Sequence, residues 1–225
     1  MNKLNHVAFI LDGNGRWGLK KRKSRNFGHL AGVKTVQKVV QYSLELKIPM
    51  ISFYVFSSEN WKRPKSEINF LFNLIGSYFK KEIKSIEKNK IKINIIGKTD
   101  SLPKKIKKIL VDTIARTKKN KKLIINLAIN YGSKNELIYA FKRIQKMKES
   151  ISIKSVSKNL YTQNMPDPDV LIRTGGQKRL SNFMLWQLAY TELYFLNKLW
   201  PDFNKIDLKK VLKDYYKIKR NFGGI

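Results

Sequence analysis

A carboxylate, two glycines and a train of cations follow one another in Asp12-Gly13-Asn14-Gly15-Arg16-Trp17 and on through Lys20, Lys21, Arg22, Lys23 and Arg25. Glycine has no Cβ, so Gly13 and Gly15 allow backbone N–H groups to approach an anion closely. The cations exceed what one turn needs, and together they describe a phosphate cradle. A carboxylate facing phosphate oxygens calls for a bridging Mg²⁺, which makes Asp12 a candidate metal ligand. A second stretch repeats this chemistry, with Arg173-Thr174-Gly175-Gly176 running into Arg179, Leu180, Ser181 and Asn182. Two arginines, a glycine pair and a hydroxyl suit one more diphosphate. The first stretch reads about equally well as a strand-end turn beside a solvated basic face, and on its own it does not decide.

The elements around these residues narrow the choice. Residues 6–11 form an apolar run of strand length that ends in Asp12, the pattern of a buried parallel strand. In an open α/β sheet the ligand crevice lies outside the carboxyl ends of the strands, so Asp12 is expected at the mouth of a site. Apolar spacing at Leu30, Val33, Val36, Val39, Val40 and Leu44 predicts a helix over 28–47, and 50–56 reads as a second buried strand. The resulting right-handed βαβ unit brings Ser57, Ser58, Glu59, Asn60, Trp61 and Arg63 to the same rim. Pro64 opens a helix reaching about Asn89, with Glu67 near its positive end. Its apolar side, Ile68, Leu71, Phe72, Ile75, Phe79, Ile83 and Ile86, suits either a core or the wall of a tunnel for an apolar ligand. Further strands are expected at 91–96, 123–129, 169–172 and 190–195. Further helices are expected at 136–147 and 207–220, with a polar, loosely organised segment at 150–163. A basic amphipathic helix over 102–116 suits a solvated lysine face or a membrane surface. The fold class is therefore α/β: a single domain over 1–225, with a mostly parallel central sheet of about six strands flanked by helices.

The formal net charge is +31, from 47 basic against 16 acidic residues. Such a balance points to nucleic acid or an anionic membrane surface. The lysines are nevertheless scattered, and the aromatics sit in apolar runs instead of alternating with the cations, so a basic nucleic-acid-binding protein is the rival and not the expectation. Cysteine is absent, which excludes disulfides and thiolate chemistry and fits a cytoplasmic setting. No apolar run spans a bilayer and no signal-peptide pattern opens the chain. Ser/His/Asp hydrolase logic lacks its G-x-S-x-G elbow, and a Walker A loop is missing. A phosphatase using Asp12 as nucleophile would want a second carboxylate two residues on, where Asn14 stands. Neither His6 nor His29 has metal-ligand spacing.

Taken in order, Asp12-Gly13-Asn14-Gly15-Arg16-Trp17, Phe27-Gly28-His29, Phe56-Ser57-Ser58-Glu59-Asn60-Trp61-x-Arg63-Pro64, Asn130-Tyr131-Gly132 and Ile172-Arg173-Thr174-Gly175-Gly176 resemble the motifs of cis-prenyltransferases. Arg179-Leu180-Ser181-Asn182-Phe183, Trp186-Gln187, Glu192-Leu193-Tyr194-Phe195 and Trp200-Pro201-Asp202-Phe203 continue the likeness nearly end to end. The nearest branch is the bacterial one that makes undecaprenyl diphosphate. The resemblance implies an isoprenyl transferase that adds isopentenyl diphosphate in cis to farnesyl diphosphate, giving a long-chain carrier precursor for cell-wall synthesis.

By the same resemblance Asp12 is expected to bind Mg²⁺ and Glu192 to be a second metal-site acid, supplied across a homodimer interface. Gly13, Asn14, Gly15, Arg16, Arg25 and His29 hold the allylic diphosphate with Arg63 assisting, while Arg173, Arg179 and Ser181, with Leu180, serve isopentenyl diphosphate. Asn60 takes the position assigned to proton removal; an amide is a poor base, so an orienting or relaying role is expected. Trp17, Ser57, Ser58, Glu59 and Trp61 line the site, and the rings of Trp17, Phe56 and Trp61 could stabilise positive charge. Leu123 is expected at the far end of an apolar tunnel, and the membrane receiving the product is a possible peripheral partner. Departures are Gln177 where an acid is common, Lys178 where some members carry His, and Asn221 where Arg is frequent.

Overall fold

The computed structural model describes residues 2–221 and Gly223. Phe222 and Gly224 of the C-terminal motif lie outside the described residues. Among these residues six strands, β1 (His6–Ile10), β2 (Met50–Ser57), β3 (Ile91–Ile96), β4 (Leu123–Tyr131), β5 (Val170–Arg173) and β6 (Glu192–Phe195), form one sheet in the order β3-β4-β2-β1-β5-β6. Every neighbouring pair is parallel, as the apolar runs predict. β1 is central and buried along its whole length. The chain leaves it for β2 on one side and returns to β5 on the other. The crevice beyond β1, β2 and β5 is thus the place where an α/β sheet admits a ligand.

Among the described residues seven α-helices cover the sheet: α1 (Asn14–Lys20), α2 (Arg25–Glu45), α3 (Lys65–Lys88), α4 (Lys104–Thr117), α5 (Ser133–Met147), α6 (Ile153–Asn159) and α7 (Lys205–Tyr215). α1 departs from expectation, since the stretch after Asp12 does not stay an open turn. Asn14, Gly15 and Gly18 have poor helix propensity, and the helix stands because it packs tightly on α2. A Cβ on Gly28 would lie 1.9 Å from the Asn14 carbonyl oxygen. α2 starts three residues earlier than its apolar spacing suggests, because the Ser24 hydroxyl accepts from the Phe27 N–H at 3.2 Å. α7 ends at Tyr215, short of the expected 220.

On one face of the sheet Val7, Phe9, Ile51, Phe53, Ile125 and Leu127 pack with residues of α2, α3, α4 and α7 into the main core. Phe9, Phe53, Trp200 and Phe203 form its aromatic centre, with ring centroids 5.3–6.3 Å apart. The other face is partly polar. His6 Nε2 meets Ser52 Oγ at 2.7 Å, Asn126 Nδ2 donates to the same hydroxyl at 3.0 Å, and Asn94 Nδ2 donates to Asn126 Oδ1 at 2.9 Å. This ribbon crosses β1, β2, β4 and β3.

His6 Nδ1 faces the Pro166 carbonyl at 2.8 Å, and a carbonyl only accepts, so the proton sits on Nδ1 and the ring is neutral. Burial pushes the His6 pKa down to about 4, outweighing the Pro166 carbonyl and Asp169, which raise it. The unfolded chain therefore binds the proton at pH values where the fold refuses it. Stability is full above about pH 6.5 and falls as the pH drops toward 4, by about 3 kcal/mol. Denaturant unfolding at pH 7 and pH 4.5 is expected to show a smaller loss for His6→Gln than for the unaltered chain. Equal losses would refute this account. Among the described residues no helix is long and apolar enough to cross a membrane.

Candidate active site

The carboxyl ends of β1, β2 and β5 open into a cavity of about 370 Å³. Its mouth is polar, carrying Asp12, Asn14, His29, Ser57, Asn60, Arg63, Arg173, Arg179 and Ser181. Further in, Val33 and Val36 from α2, Val55 from β2, Leu71, Leu74, Ile75 and Tyr78 from α3, and Leu127 and Ile129 from β4 make an apolar wall.

α3 therefore serves two surfaces. Ile68, Phe72 and Ile86 are buried in the core, Phe79 is buried where core and cavity meet, and Leu71, Leu74, Ile75 and Tyr78 are half-buried and border the cavity. Helical spacing shows one broad apolar side; the tertiary fold divides it. Leu123 departs from its expected place. It is fully buried in the core, and β4 meets the cavity through Leu127 and Ile129.

The two anion cradles converge on Asp12. Arg173 Nη2 donates to Asp12 Oδ2 at 2.9 Å and Arg16 Nη2 to Asp12 Oδ1 at 3.2 Å. Arg173 is only 4% exposed, and its Nη1 donates to the Ser181 hydroxyl at 2.8 Å and to the Arg179 carbonyl. Its Nε–H, like Asn14 Oδ1, is buried without a protein partner. An unsatisfied buried donor is costly, and the Arg173 Nε–H at the cavity mouth is one that an anionic ligand would satisfy. Thr174 Oγ1 donates to the Asp12 carbonyl at 2.8 Å. Gly175 lies at φ +91°, where a Cβ would sit 2.6 Å from Arg16 Nη2, so only glycine fits between the cradles.

Arg179 Nη1 donates to Gln177 Oε1 at 2.6 Å. The departing glutamine thus aims the second arginine, while Lys178 is exposed beside it. Ser181, Asn182 and Met184 all hold positive φ, at 49°, 63° and 47°. Such strain persists where the surroundings fix it. Here Asn182 Nδ2 donates to Glu59 Oε1 at 2.7 Å, and its two oxygens accept the backbone N–H groups of Ser133 and Lys134.

The first cradle holds an acid that spacing did not single out for the site. Glu67 accepts from Arg63 Nη1 at 3.0 Å, from Arg25 Nε at 3.3 Å and from His29 Nε2 at 3.3 Å. Burial alone would raise its pKa, but the Arg25 hydrogen bond and the Arg63 and Arg25 charges hold the carboxyl below its ordinary range. For His29, burial and then the Arg63 charge win against Glu67, and its pKa is lowered. His29 thus enters the cradle as a neutral imidazole whose Nε2–H is committed to Glu67. The signal in the sequence was the four-residue step from Arg63 to Glu67, a helical ion-pair spacing.

Glu67 acts by aligning two arginines and a histidine. Glu67→Ala should lower kcat about tenfold, and steady-state kinetics should show no rise in KM for an allylic diphosphate, because a repelling carboxylate has gone. A raised KM with unchanged kcat would contradict this role.

Asn60 lies in a one-turn 3-10 helix, Ser58–Lys62, and its Oδ1 accepts the Ser57 N–H at 3.1 Å. The oxygen is thereby engaged and the NH₂ is left for the cavity, which suits an orienting group. Several expected site residues are not among those lining the cavity. Ser58 and Glu59 tie this turn to Asn182. Trp61 donates to Asn130 Oδ1 at 2.7 Å and packs on Phe56 and Phe72. Trp17 donates to Asp202 Oδ1 at 2.7 Å and stacks on Phe27. The rings that border the cavity are instead Tyr54, Tyr78, Phe79 and Trp200. Gly13 forms the left-handed turn before α1, at φ +108°. Gly15 leaves room for the Arg25 guanidinium, 2.7 Å from where a Cβ would be. Leu180 packs on the second face of the sheet.

Glu192 is not brought to Asp12 within the chain. It opens β6 opposite Val170, at the far end of the sheet from the rim, and lies 3.6 Å from Arg220 Nε. Among the described residues no group of three or more His, Cys, Asp or Glu could hold a metal ion. A lone, partly exposed carboxylate fits a hard cation that takes its remaining ligands from phosphate and water, the usual habit of Mg²⁺.

Comparison with known proteins agrees with this geometry. The prenyltransferase family model described as "Putative undecaprenyl diphosphate synthase" matches residues 10–223. An isoprenyl transferase of Clostridium tetani is 43% identical over 98% of this chain and 89% of its own. One of Fusobacterium nucleatum is 43% identical over 98% and 96%. Among solved structures, a probable undecaprenyl diphosphate synthase from Campylobacter jejuni superposes with a TM-score of 0.85 at 36% identity, covering 100% of both chains. Lavandulyl diphosphate synthase from Lavandula x intermedia, solved in complex with dimethylallyl diphosphate, gives 0.93 at 30% identity over 98% of each.

Proposed function

The chain belongs to the undecaprenyl diphosphate synthase family of isoprenyl transferases, and from that premise we propose that it condenses isopentenyl diphosphate units in cis onto farnesyl diphosphate, to give undecaprenyl diphosphate. The observation that carries this reading is one cavity with a mouth of converging arginines around Asp12 and an apolar interior. Such a site fits a substrate that is anionic at one end and hydrocarbon along its length. The lavandulyl relative was solved with an allylic diphosphate of this type.

Arg25 and Arg63 bind the allylic diphosphate, to which His29 turns its Nε2–H from Glu67 and beside which Asn14 shapes the start of α1, and Arg173, Arg179 and Ser181 bind isopentenyl diphosphate. Asp12 would hold Mg²⁺, which would supply Lewis-acid charge to the departing diphosphate. Arg16 and Arg173, already fixed on Asp12, present positive charge where negative charge develops, without reorganising. The bond from the allylic carbon to oxygen breaks as the new carbon–carbon bond forms, and a proton passes from the isopentenyl unit to the departing diphosphate as the next double bond is created. Asn60 orients the group that loses it. The apolar wall excludes water, which would otherwise trap an allylic cation, and receives the lengthening chain.

A homodimer completes the reading. β6 is a short, four-residue sheet edge, and Leu193 on it, with Ile138, Phe141, Ile151, Ile153 and Tyr190, is exposed. A second copy covering these side chains would remove an unpaired edge and could supply Glu192 in trans. The protein works in the cytoplasm beside the membrane that receives the product. Incubation with farnesyl diphosphate, labelled isopentenyl diphosphate and Mg²⁺, followed by sizing, is expected to give a ladder ending in the undecaprenyl compound. No incorporation of label would overturn the proposal.

A further inference from the structure

The basic amphipathic pattern of α4 has no part in the site above. A second cleft, of about 470 Å³, runs between α3 and α4. Its floor is apolar, made by Phe79, Ile83 and Ile109, and its rim carries Lys80, Lys105, Lys108 and Arg116 with one acid, Asp112. At one end the helices close on Gly76, where a Cβ would lie 2.9 Å from Ile106 Cδ1. At the other, Arg116 grips Glu87 through Nε at 2.8 Å and Nη2 at 2.7 Å. That pair neutralises itself. The ion pairs of α4 among the described residues run through Lys107 and Arg116, and none takes up Lys80, Lys105 or Lys108. Phe79 borders this cleft on one side and the substrate cavity on the other.

We infer that the α3–α4 cleft docks the protein on an anionic phospholipid bilayer, with headgroup phosphates on Lys80, Lys105 and Lys108 and acyl carbons against Phe79, Ile83 and Ile109. A soluble anion would make no use of the apolar floor, and a neutral membrane would leave three lysines without counter-charge. The pairing of the two is the signature of an interfacial surface. The inference rests on the isoprenyl transferase reading, because it sets a lipid surface one side chain away from a cavity that holds a growing lipid.

Vesicles of phosphatidylcholine containing phosphatidylglycerol should sediment the protein, and vesicles of phosphatidylcholine alone should not. Each lysine near an anionic surface contributes roughly fivefold in affinity. Lys80→Gln/Lys105→Gln/Lys108→Gln should therefore weaken binding about a hundredfold, whereas Lys209→Gln/Lys210→Gln/Lys213→Gln on α7, with the same charge removed, should change it less than threefold. Turnover of soluble farnesyl diphosphate should be unchanged in both variants, which shows the fold intact. Ile83→Ser should weaken vesicle binding while leaving salt-eluted retention on a cation exchanger unaltered. Equal losses from the two lysine triples, or unaltered binding by the first, would overturn the inference. Absent turnover in the unaltered protein would instead strike the parent reading, independently of the vesicles.

Discussion

Asp12→Asn is expected to lower turnover by about a thousandfold or more while the protein stays folded. The substitution keeps the shape of the side chain and removes the charge that Arg16 and Arg173 share. Losing a single preorganised electrostatic partner costs about 10²–10³ in rate, and under the proposed function the loss of metal binding at Asp12 adds to it. Stability should fall only slightly, because Arg173 keeps Ser181 and the Arg179 carbonyl. Asp12→Ala should lose the same activity with a larger drop in melting temperature, as it strips a partner from a buried guanidinium. Product formation by either variant near the normal rate, with circular dichroism confirming the fold, would remove Asp12 from the chemistry.

The second large effect separates the cradles. Arg179→Ala should raise KM for isopentenyl diphosphate about 10–100-fold, the worth of a charge-assisted hydrogen bond of roughly 1.5–3 kcal/mol, and should leave the allylic KM nearly alone. Arg25→Ala should do the reverse. Arg173→Ala is expected to fail on both counts, raising the isopentenyl KM and lowering kcat, because that side chain also holds Asp12. Arg179 is thus the cleaner probe, since its own contact is with Gln177. If Arg25→Ala changes the isopentenyl KM and Arg179→Ala the allylic one, the two cradles have been assigned the wrong way round.

Local pattern carried much of this architecture. The run ending in Asp12 and the run ending in Ser57 are continuous apolar segments, and strands of that kind can only be central and parallel. Their carboxyl ends then had to share a rim. Sequence spacing failed where a partner lies far along the chain. Trp17 beside Gly15 and Arg16 looks like part of a binding loop, yet its indole is claimed by Asp202, and nothing near it in sequence shows this. Trp61 is claimed likewise by Asn130. Glu67 sits where a helix dipole alone would justify an acid, so its second task of gathering Arg25 and His29 was hidden. α1 was hidden for a different reason. Its glycines lower helix propensity because the helix must lie almost in contact with α2, and that closeness is tertiary. Leu123 and Leu127 belong to one strand, and only the depth of the cavity tells which of them it reaches.

The division of α3 has a consequence for how such a protein can change over generations. Ile68, Phe72, Phe79 and Ile86 anchor the helix to the sheet, and substitutions there threaten the narrow margin by which a domain stays folded. Leu71, Leu74, Ile75 and Tyr78 border the cavity and are only half-buried, so replacing them removes less packing than replacing a core residue does. Heritable variation can therefore accumulate on one stripe of a single helix and alter the length of chain accommodated, while the neighbouring stripe preserves foldability. Two traits that share one helix are free to drift apart.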